Sequence, residues 1–290
     1  MTTNVSITDR IAAEYGGLSA KLREAADYVA AHPLDVASRS LRAVSASSGL
    51  APVTFSRLAR ALGFDSYEEL RELSRDAVGQ SYESFSDKAG RLQAEAADGA
   101  GPPFLARQAA ACVANIEGLS QQIDQDRLEE AVDRLHRARQ VVLFGGFSSS
   151  GIAEYMAYMG SFFSANWSIA GRVGTALSTA MVDIGPEDAL IVITKPPFAR
   201  RAIMAAQMAA KQGAYVVAIT DTHTCPALKH ASAGFILSSE SPQFFSSYAA
   251  TLVLIETMIG MLVARGGRKA QARIGEVEAR NRLLDEFWRG

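Results

Sequence analysis

Two groups of side chains in this sequence have the types and spacing for chemistry. The first is cationic. Between Asp35 and Asp65 there is no acidic residue, yet Arg39, Arg42, Arg57 and Arg60 all fall there. The whole chain carries 29 Lys and Arg against 31 Asp and Glu, a net charge of −2. Arginines kept clear of carboxylates suit phosphates, and each phosphate neutralised would release condensed counterions. The second group is hydroxylic: Ser148, Ser149 and Ser150 follow Gly145-Gly146 after the apolar run "VVLF". Small residues and hydroxyls at a helix start can hold an anion, because the first N–H groups point outward and the dipole favours negative charge. A Gly/Ser turn also serves any tight strand-to-helix connection.

The cationic group needs helices to position it. Phe55, Leu58, Ala59 and Leu62 share one face at helical spacing, and the opposite face presents Thr54, Arg57 and Ala61, with Arg60 near its edge. Pro52 suits the first turn and Gly63 the end. A preceding helix opens at Leu41 and Val44 with Ser40 as N-cap, and ends near Ser47-Ser48-Gly49. That spacing is a helix-turn-helix, whose second helix enters the major groove of DNA. Arg57 and Thr54 would face base edges or the groove, while Arg39, Arg42 and Arg60 would hold phosphates. The alternative is a solvated face of a small helical bundle. Further upstream, Leu22, Ala25, Ala26 and Val29 recur on one helical face.

The hydroxylic group needs a sheet. "QVVLFG", "DALIVIT", "AYVVAIT" and "GFILS" are short continuous apolar runs, with a weaker one at "NWSIAG". Segments of helical length separate them: Ser149–Ser164, Ala199–Gln212 and Pro242–Val263. This predicts a five-stranded parallel sheet with helices on both faces, whose ligands lie beyond the carboxyl ends of the strands. The fold class is therefore α/β behind an all-α N-terminal domain. The expected divisions are a helix-turn-helix domain over 1–80, a linker and connecting helix over 81–125, the sheet domain over 126–265 and a C-terminal helix over 266–290. "DKAGRLQAEAADGAGPPF", ending in Pro102-Pro103, has the composition of an exposed connection, with a hinge near Gly99–Pro103.

Other chemistries find little support. Cys112 and Cys225 are far apart and lack partners at metal spacing, which suits a reducing compartment and no disulfide framework. His223 and His230 lack an Asp, Glu or Cys arrangement for a metal and read as loop histidines. No cofactor is expected. The N-terminus lacks an apolar leader. The apolar stretch Phe244 to Arg265 is interrupted by Ser246, Ser247, Thr251 and Glu256, so it reads as a buried helix, not a membrane span. A cytoplasmic protein is expected. Glu154 and Glu256 lie inside apolar helical stretches, each able to act as a base or to cap a loop or pair across an interface.

The segment "GLSAKLREAADYVAAHPLDVASRSLRAVSASSGLAPVTFSRLARALGFDSYEELRE" resembles the N-terminal domain of RpiR-type bacterial transcriptional regulators. The likeness rests on the "ADYV" run, the His-Pro break, and Thr54, Phe55, Arg57, Leu58, Leu62, Gly63 and Phe64 in the recognition helix. It covers about the first 75 residues. Ala51 stands where that family usually has Ser, at a cost of roughly 0.5–2 kcal/mol of helix capping. Residues from about Asp126 to Arg265 resemble the sugar isomerase (SIS) domain that follows in those regulators, through "IGPEDALIVIT", "AAKQGAYVVAITD" and "SPQFFSSYAATLVLIETMIG". The resemblance implies a phosphate site at two loops. The first carries over as Ser148, Ser149 and Ser150, with Phe147 where Gly is frequent. In the second, "TKPPFARRA", only Thr194 keeps a hydroxyl. Lys195, Arg200 and Arg201 can supply charge instead, or Arg200 and Arg201 can lie on the outer face of the next helix. The implied partners are a double-stranded operator, a small anionic metabolite such as a sugar phosphate, and a second copy, as a homodimer or dimer of dimers. The implied protein is a regulator, not an enzyme. The alternatives are a sugar-phosphate isomerase on the same sheet domain and a DNA-binding protein whose sheet domain only dimerises.

Overall fold

The apolar runs of the second half leave neither face for water, so they can only be central strands of a covered sheet. The computed structural model describes residues 7–32, 35–36, 39–81, 85–99, 101–171 and 176–288. The chain divides into two units, Met1–Gly101 and Pro102–Gly290.

The first unit is helical: α1 (Ile7–Glu14), α2 (Ala20–Ala31), α3 (Leu41–Ser48), α4 (Pro52–Ala61), α5 (Tyr67–Ser81) and α6 (Phe85–Asp98). Ala25, Ala26 and Val29 of α2 pack with Phe55, Leu58 and Ala59 of α4 in one core. The Phe55 ring meets Tyr28 and Tyr67 edge-on, at centroid distances of 6.1 and 6.3 Å. The stretch from Asp87, expected as an exposed connection, is instead helical as far as Asp98. Its alanines are the best helix formers, and Asp87 lies in the first turn, where the dipole favours it. Within the expected hinge, Gly99 and Gly101 have positive φ, and Ala100 lies outside the described residues.

The second unit runs α7 (Phe104–Gln122), α8 (Gln125–Arg137), β1 (Val141–Gly145), α9 (Ser149–Phe163), β2 (Trp167–Ile169), α10 (Leu177–Val182), β3 (Ala189–Ile193), α11 (Arg200–Lys211), β4 (Tyr215–Thr220), β5 (Ala233–Ile236) and α12 (Ala249–Leu283). The five strands are parallel, in the order β2-β1-β3-β4-β5. The side-chain period of two splits their residues between two cores. Val141, Leu143, Ile191, Ile193 and Val217 face α8, α9 and α12, while Val142, Phe144, Leu190, Val192 and Val216 face α10 and α11. The α/β class, with helices on both faces of the sheet, is as expected.

The last helix starts at Ala249 instead of Pro242. A break at Gly267, with backbone angles of φ 51° and ψ −136°, separates it from a helical C-terminal stretch that runs to Leu283. By length and composition it could span a membrane. Its Ala250, Leu254, Ile255, Met258 and Leu262 are instead buried against the sheet.

At the amino end of the sheet, Asp188 anchors β3. Its side chain is fully buried. It accepts from Arg139 Nε at 3.0 Å and Nη2 at 2.7 Å, Gln140 Nε2 at 3.2 Å and the Gly185 N–H at 2.8 Å. Burial raises the carboxyl pKa, but these bonds outweigh it and hold it below the ordinary value. A depressed carboxyl stabilises the fold above the unfolded pKa of about 4 and loses that contribution as pH falls through the lower folded value. Asp188→Asn should therefore destabilise the domain at pH 7 by about 1–2 kcal/mol, less than a wholly buried pair because Arg139 is 55 % exposed. The deficit in urea unfolding should shrink at pH 2–3. An equal deficit at both pH values would contradict this.

Candidate functional site

In the strand order β2-β1-β3, the direction of winding reverses between β1 and β3, the place where open parallel sheets bind ligands. Gly145 and Ile193, the last residues of these strands, are in register. The loops that follow are packed together. A Cβ on Gly145 would lie 2.2 Å from the Ser149 carbonyl oxygen, and one on Gly146 would lie 2.2 Å from Ala199 Cβ. The two glycines thus bring the starts of α9 and α11 side by side. Phe147, between them and the serines, has φ of +52° and is exposed.

Hydroxyls and one amine gather here. Ser148 Oγ and Ser149 Oγ lie 3.0 and 2.8 Å from the Tyr248 hydroxyl. Ser150 Oγ turns away and donates to the Phe147 carbonyl at 2.7 Å. Thr194 is buried and continues the β3–β4 ladder, its N–H donating to Ile219 O at 3.1 Å. Lys195 is only 6 % exposed. Its Nζ donates to Ser247 O at 2.7 Å and lies 4.2 Å from the centre of the Tyr248 ring. Burial lowers its pKa to about 8, opposed by the charge of Asp221. Asp221, after β4, is pushed upward by burial, against a hydrogen bond from Ser239 Oγ at 2.6 Å and the charge of Lys195. Burial thus draws both groups toward neutrality. Arg200 is exposed. Arg201 is also exposed, its guanidinium 5.6 Å from the Phe144 ring centre.

The sequence places Ser247 and Tyr248 within a helix, whereas residues 242–248 form a strap across the carboxyl ends of the strands; Asp221 follows β4 without a motif to mark it. Ser247 Oγ accepts from Ala249 N at 3.2 Å, a local serine turn just before the helix, whose N-cap position is Tyr248. α7 pins the strap from outside. Asn115 is buried, accepts from Ser238 Oγ at 2.6 Å and Glu240 N at 3.1 Å, and donates to Glu240 O at 2.8 Å. Ser241 Oγ donates to Gln108 at 3.2 Å. Glu256 accepts from Tyr155 at 2.9 Å. Among the described residues no group of His, Cys, Asp and Glu could hold a metal ion.

In the first unit, Ser40 Oγ caps α3 by accepting from Ala43 N at 3.4 Å. Gly49, at φ of +71°, ends it, and Ala51-Pro52 start α4 without a side-chain cap. Arg42, Arg57 and Arg60 are exposed and Thr54 is half-buried. Arg39 is differently placed. It pairs with Asp35 at 3.0 Å and donates to Ser47 Oγ at 3.1 Å. A hydrogen bond from Tyr28, then that from Arg39, lowers the Asp35 pKa. Arg42, Arg57 and Arg60 are thus exposed, whereas Arg39 is engaged with Asp35 and with Ser47 of α3.

Residues 134–261 match the SIS domain family, so the second unit has a SIS-like fold. The HTH-type transcriptional regulator HexR of Pseudomonas aeruginosa is 22 % identical over 217 residues, covering 74 % of this chain and 73 % of HexR. Two solved structures share the fold. The sugar isomerase domain of an RpiR transcription factor from Sphaerobacter thermophilus is 21 % identical, with a TM-score of 0.53 over 59 % of this chain and 97 % of that one. NanR of Vibrio vulnificus, complexed with ManNAc-6P, is 18 % identical, with a TM-score of 0.56 over 96 % of this chain and 99 % of that one. The resemblance to RpiR-type regulators read from the sequence is borne out.

Proposed function

We propose that this chain is a ligand-responsive transcriptional regulator of the RpiR type. The observation that carries this reading is a SIS domain joined, in one chain, to a helix-turn-helix with exposed arginines on its second helix. HexR, with which about three-quarters of the chain aligns, is an HTH-type transcriptional regulator. In this reading Arg57 and Thr54 meet the major groove, and Arg42 and Arg60 hold phosphates. Arg39 orders the turn and adds charge at its edge. The regulator binds a pseudo-palindromic operator as a homodimer or dimer of dimers, with recognition helices about 34–36 Å apart or a multiple of that. It works in the cytoplasm and catalyses no reaction.

The effector is a small anionic metabolite, and NanR's ManNAc-6P makes a sugar phosphate the first class to try. It sits at the starts of α9 and α11, where two helix N-termini and the Lys195 ammonium favour negative charge. Tyr248 shares hydrogen bonds with the Ser148 and Ser149 hydroxyls, so an anion that uses those hydroxyls competes with it. The strap that carries Tyr248 is bonded to α7, the first helix after the inter-domain connection, which gives the ligand a mechanical route out of its site.

A thermal-shift series over sugar phosphates and phosphorylated sugar acids tests this. A true effector at 100 times its dissociation constant adds about 2.7 kcal/mol. The Ser148→Ala, Ser149→Ala pair should erase the shift, and Tyr248→Phe should tighten binding about fivefold, one net hydrogen bond of ~1 kcal/mol. A full panel without a hit would instead favour a sheet domain that only dimerises.

A further inference from the structure

The loop 238–248, which ends in the strap, is closed at its neck: Ser247 N donates to Ser239 O at 2.8 Å. Its two limbs are therefore tied, and whatever holds one limb also holds the other. The inner side is held by the anion site. Lys195 Nζ donates to Ser247 O at 2.7 Å, and Asp221 accepts from Ser239 Oγ at 2.6 Å. The Tyr248 hydroxyl meets those of Ser148 and Ser149.

The outer side is held by α7. Gln108, Cys112 and Asn115 are spaced four and three residues apart, so they share one helix face. Gln108 accepts from Ser241 Oγ at 3.2 Å, and Cys112 Sγ lies 3.6 Å from Ser247 Oγ. Asn115 carries most of the hold. It is 1 % exposed, accepts from Ser238 Oγ at 2.6 Å and Glu240 N at 3.1 Å, and donates to Glu240 O at 2.8 Å. These bonds flank Ser239, the residue that closes the neck and that Asp221 grips. The apolar anchoring of α7 to the sheet core falls to Leu119, one turn further on. A buried amide is costly unless its bonds are made, and Asn115 makes them to the loop.

We propose that Asn115 is a positioning residue for the anion site. By fixing Ser238 and Glu240 it holds the neck, and through the neck it holds Tyr248 against the two serines. This role rests on an anion using the Ser148 and Ser149 hydroxyls. Such an anion competes with Tyr248, so the neck transmits its arrival to Asn115 and α7. The coupling is reciprocal: weakening Asn115 favours the anion, and the anion loosens α7. Asn115 thus opposes binding although it stands outside the site.

Calorimetric titration of the full chain with inorganic phosphate and with glucose 6-phosphate tests this. Asn115→Ala should bind tighter by about three- to fivefold, as should Tyr248→Phe, because each releases the same hydroxyl contact. The double variant should bind no tighter than either alone. Gln108→Ala, which frees only Ser241, should shift affinity in the same direction and serves if Asn115→Ala does not fold. Hydrogen exchange without any anion gives a separate readout. Peptides over 238–248 should exchange about tenfold faster in Asn115→Ala. Peptides over 104–122 should exchange faster in Tyr248→Phe, with β1 and β3 unchanged, a response that a purely structural asparagine does not give. Unaltered or weaker binding in both α7 variants, additive gains, or an α7 indifferent to Tyr248→Phe would each overturn the role. If neither anion binds while exchange responds as described, the positioning role stands and the sugar-phosphate reading falls. If an anion binds but affinity and exchange ignore Asn115, the effector reading stands and the positioning role falls.

Discussion

Replacing Arg57 with alanine should weaken operator binding by about 5- to 150-fold, the ~1–3 kcal/mol of one bidentate arginine–guanine contact. The melting temperature should not move. Arg57 lies on the exposed face of α4, whereas Phe55, Leu58 and Ala59 alone hold that helix to the core. Arg42→Ala should differ in kind: weaker binding on all sequences, and a salt dependence shallower by about one phosphate. Arg39→Ala should act through the fold as well, since it unties Asp35 and Ser47. Anisotropy titrations on operator and scrambled duplexes, at several salt concentrations, separate the three patterns. An Arg57→Ala protein binding with unaltered affinity would remove α4 from the groove.

The second large effect belongs to Lys195. At neutral pH Lys195→Met should lower effector affinity by about 10- to 150-fold, the ~1.5–3 kcal/mol of a hydrogen bond to a charged group. The pH dependence is the sharper sign. Without ligand the amine has a pKa of about 8, lowered by burial. A bound anion favours the ammonium, so above pH 8 binding must take up a proton, and affinity should fall toward tenfold per pH unit. Without ligand the sign reverses. The folded pKa lies below the unfolded value of about 10.4, so the unfolded chain holds more protons between those limits and stability rises with pH there. Both dependences should vanish in Lys195→Met. Calorimetric titration from pH 7 to 9.5, with urea unfolding over the same range, checks each. A wild-type affinity indifferent to pH would place the anion elsewhere.

What the sequence made legible followed from how locally each feature is determined. The strands were plain because burial on both faces demands continuous apolar runs, and "VVLF", "ALIVI" and "YVVAIT" admit little else. The α3–α4 hairpin was plain because Ser40, Gly49, Pro52 and Gly63 each have a backbone role at a helix end. The stretch from Asp87 misled because its alanines and glycines suit a linker by composition but a helix by propensity. The start of α12 misled because "PQFFSSY" keeps an apolar character that a loop seldom has. Tyr248 could not be found at all by spacing, since its partners Ser148 and Ser149 lie 100 and 99 residues away. Arg39 likewise looked free until Asp35 folded against it.

The central claim is that one molecule grips DNA through α4 and releases or tightens that grip when an anion fills the site above β1 and β3. Anisotropy of a labelled duplex from the region beside its own coding sequence, titrated with the purified full chain with and without a thermal-shift hit, tests both halves together. The account predicts binding that weakens linearly in log–log salt plots, is weakened about 5- to 150-fold in Arg57→Ala, and changes severalfold with effector in the natural protein but not in the Ser148→Ala, Ser149→Ala pair. Binding that is absent at low salt, or identical with and without effector at saturation, would contradict it.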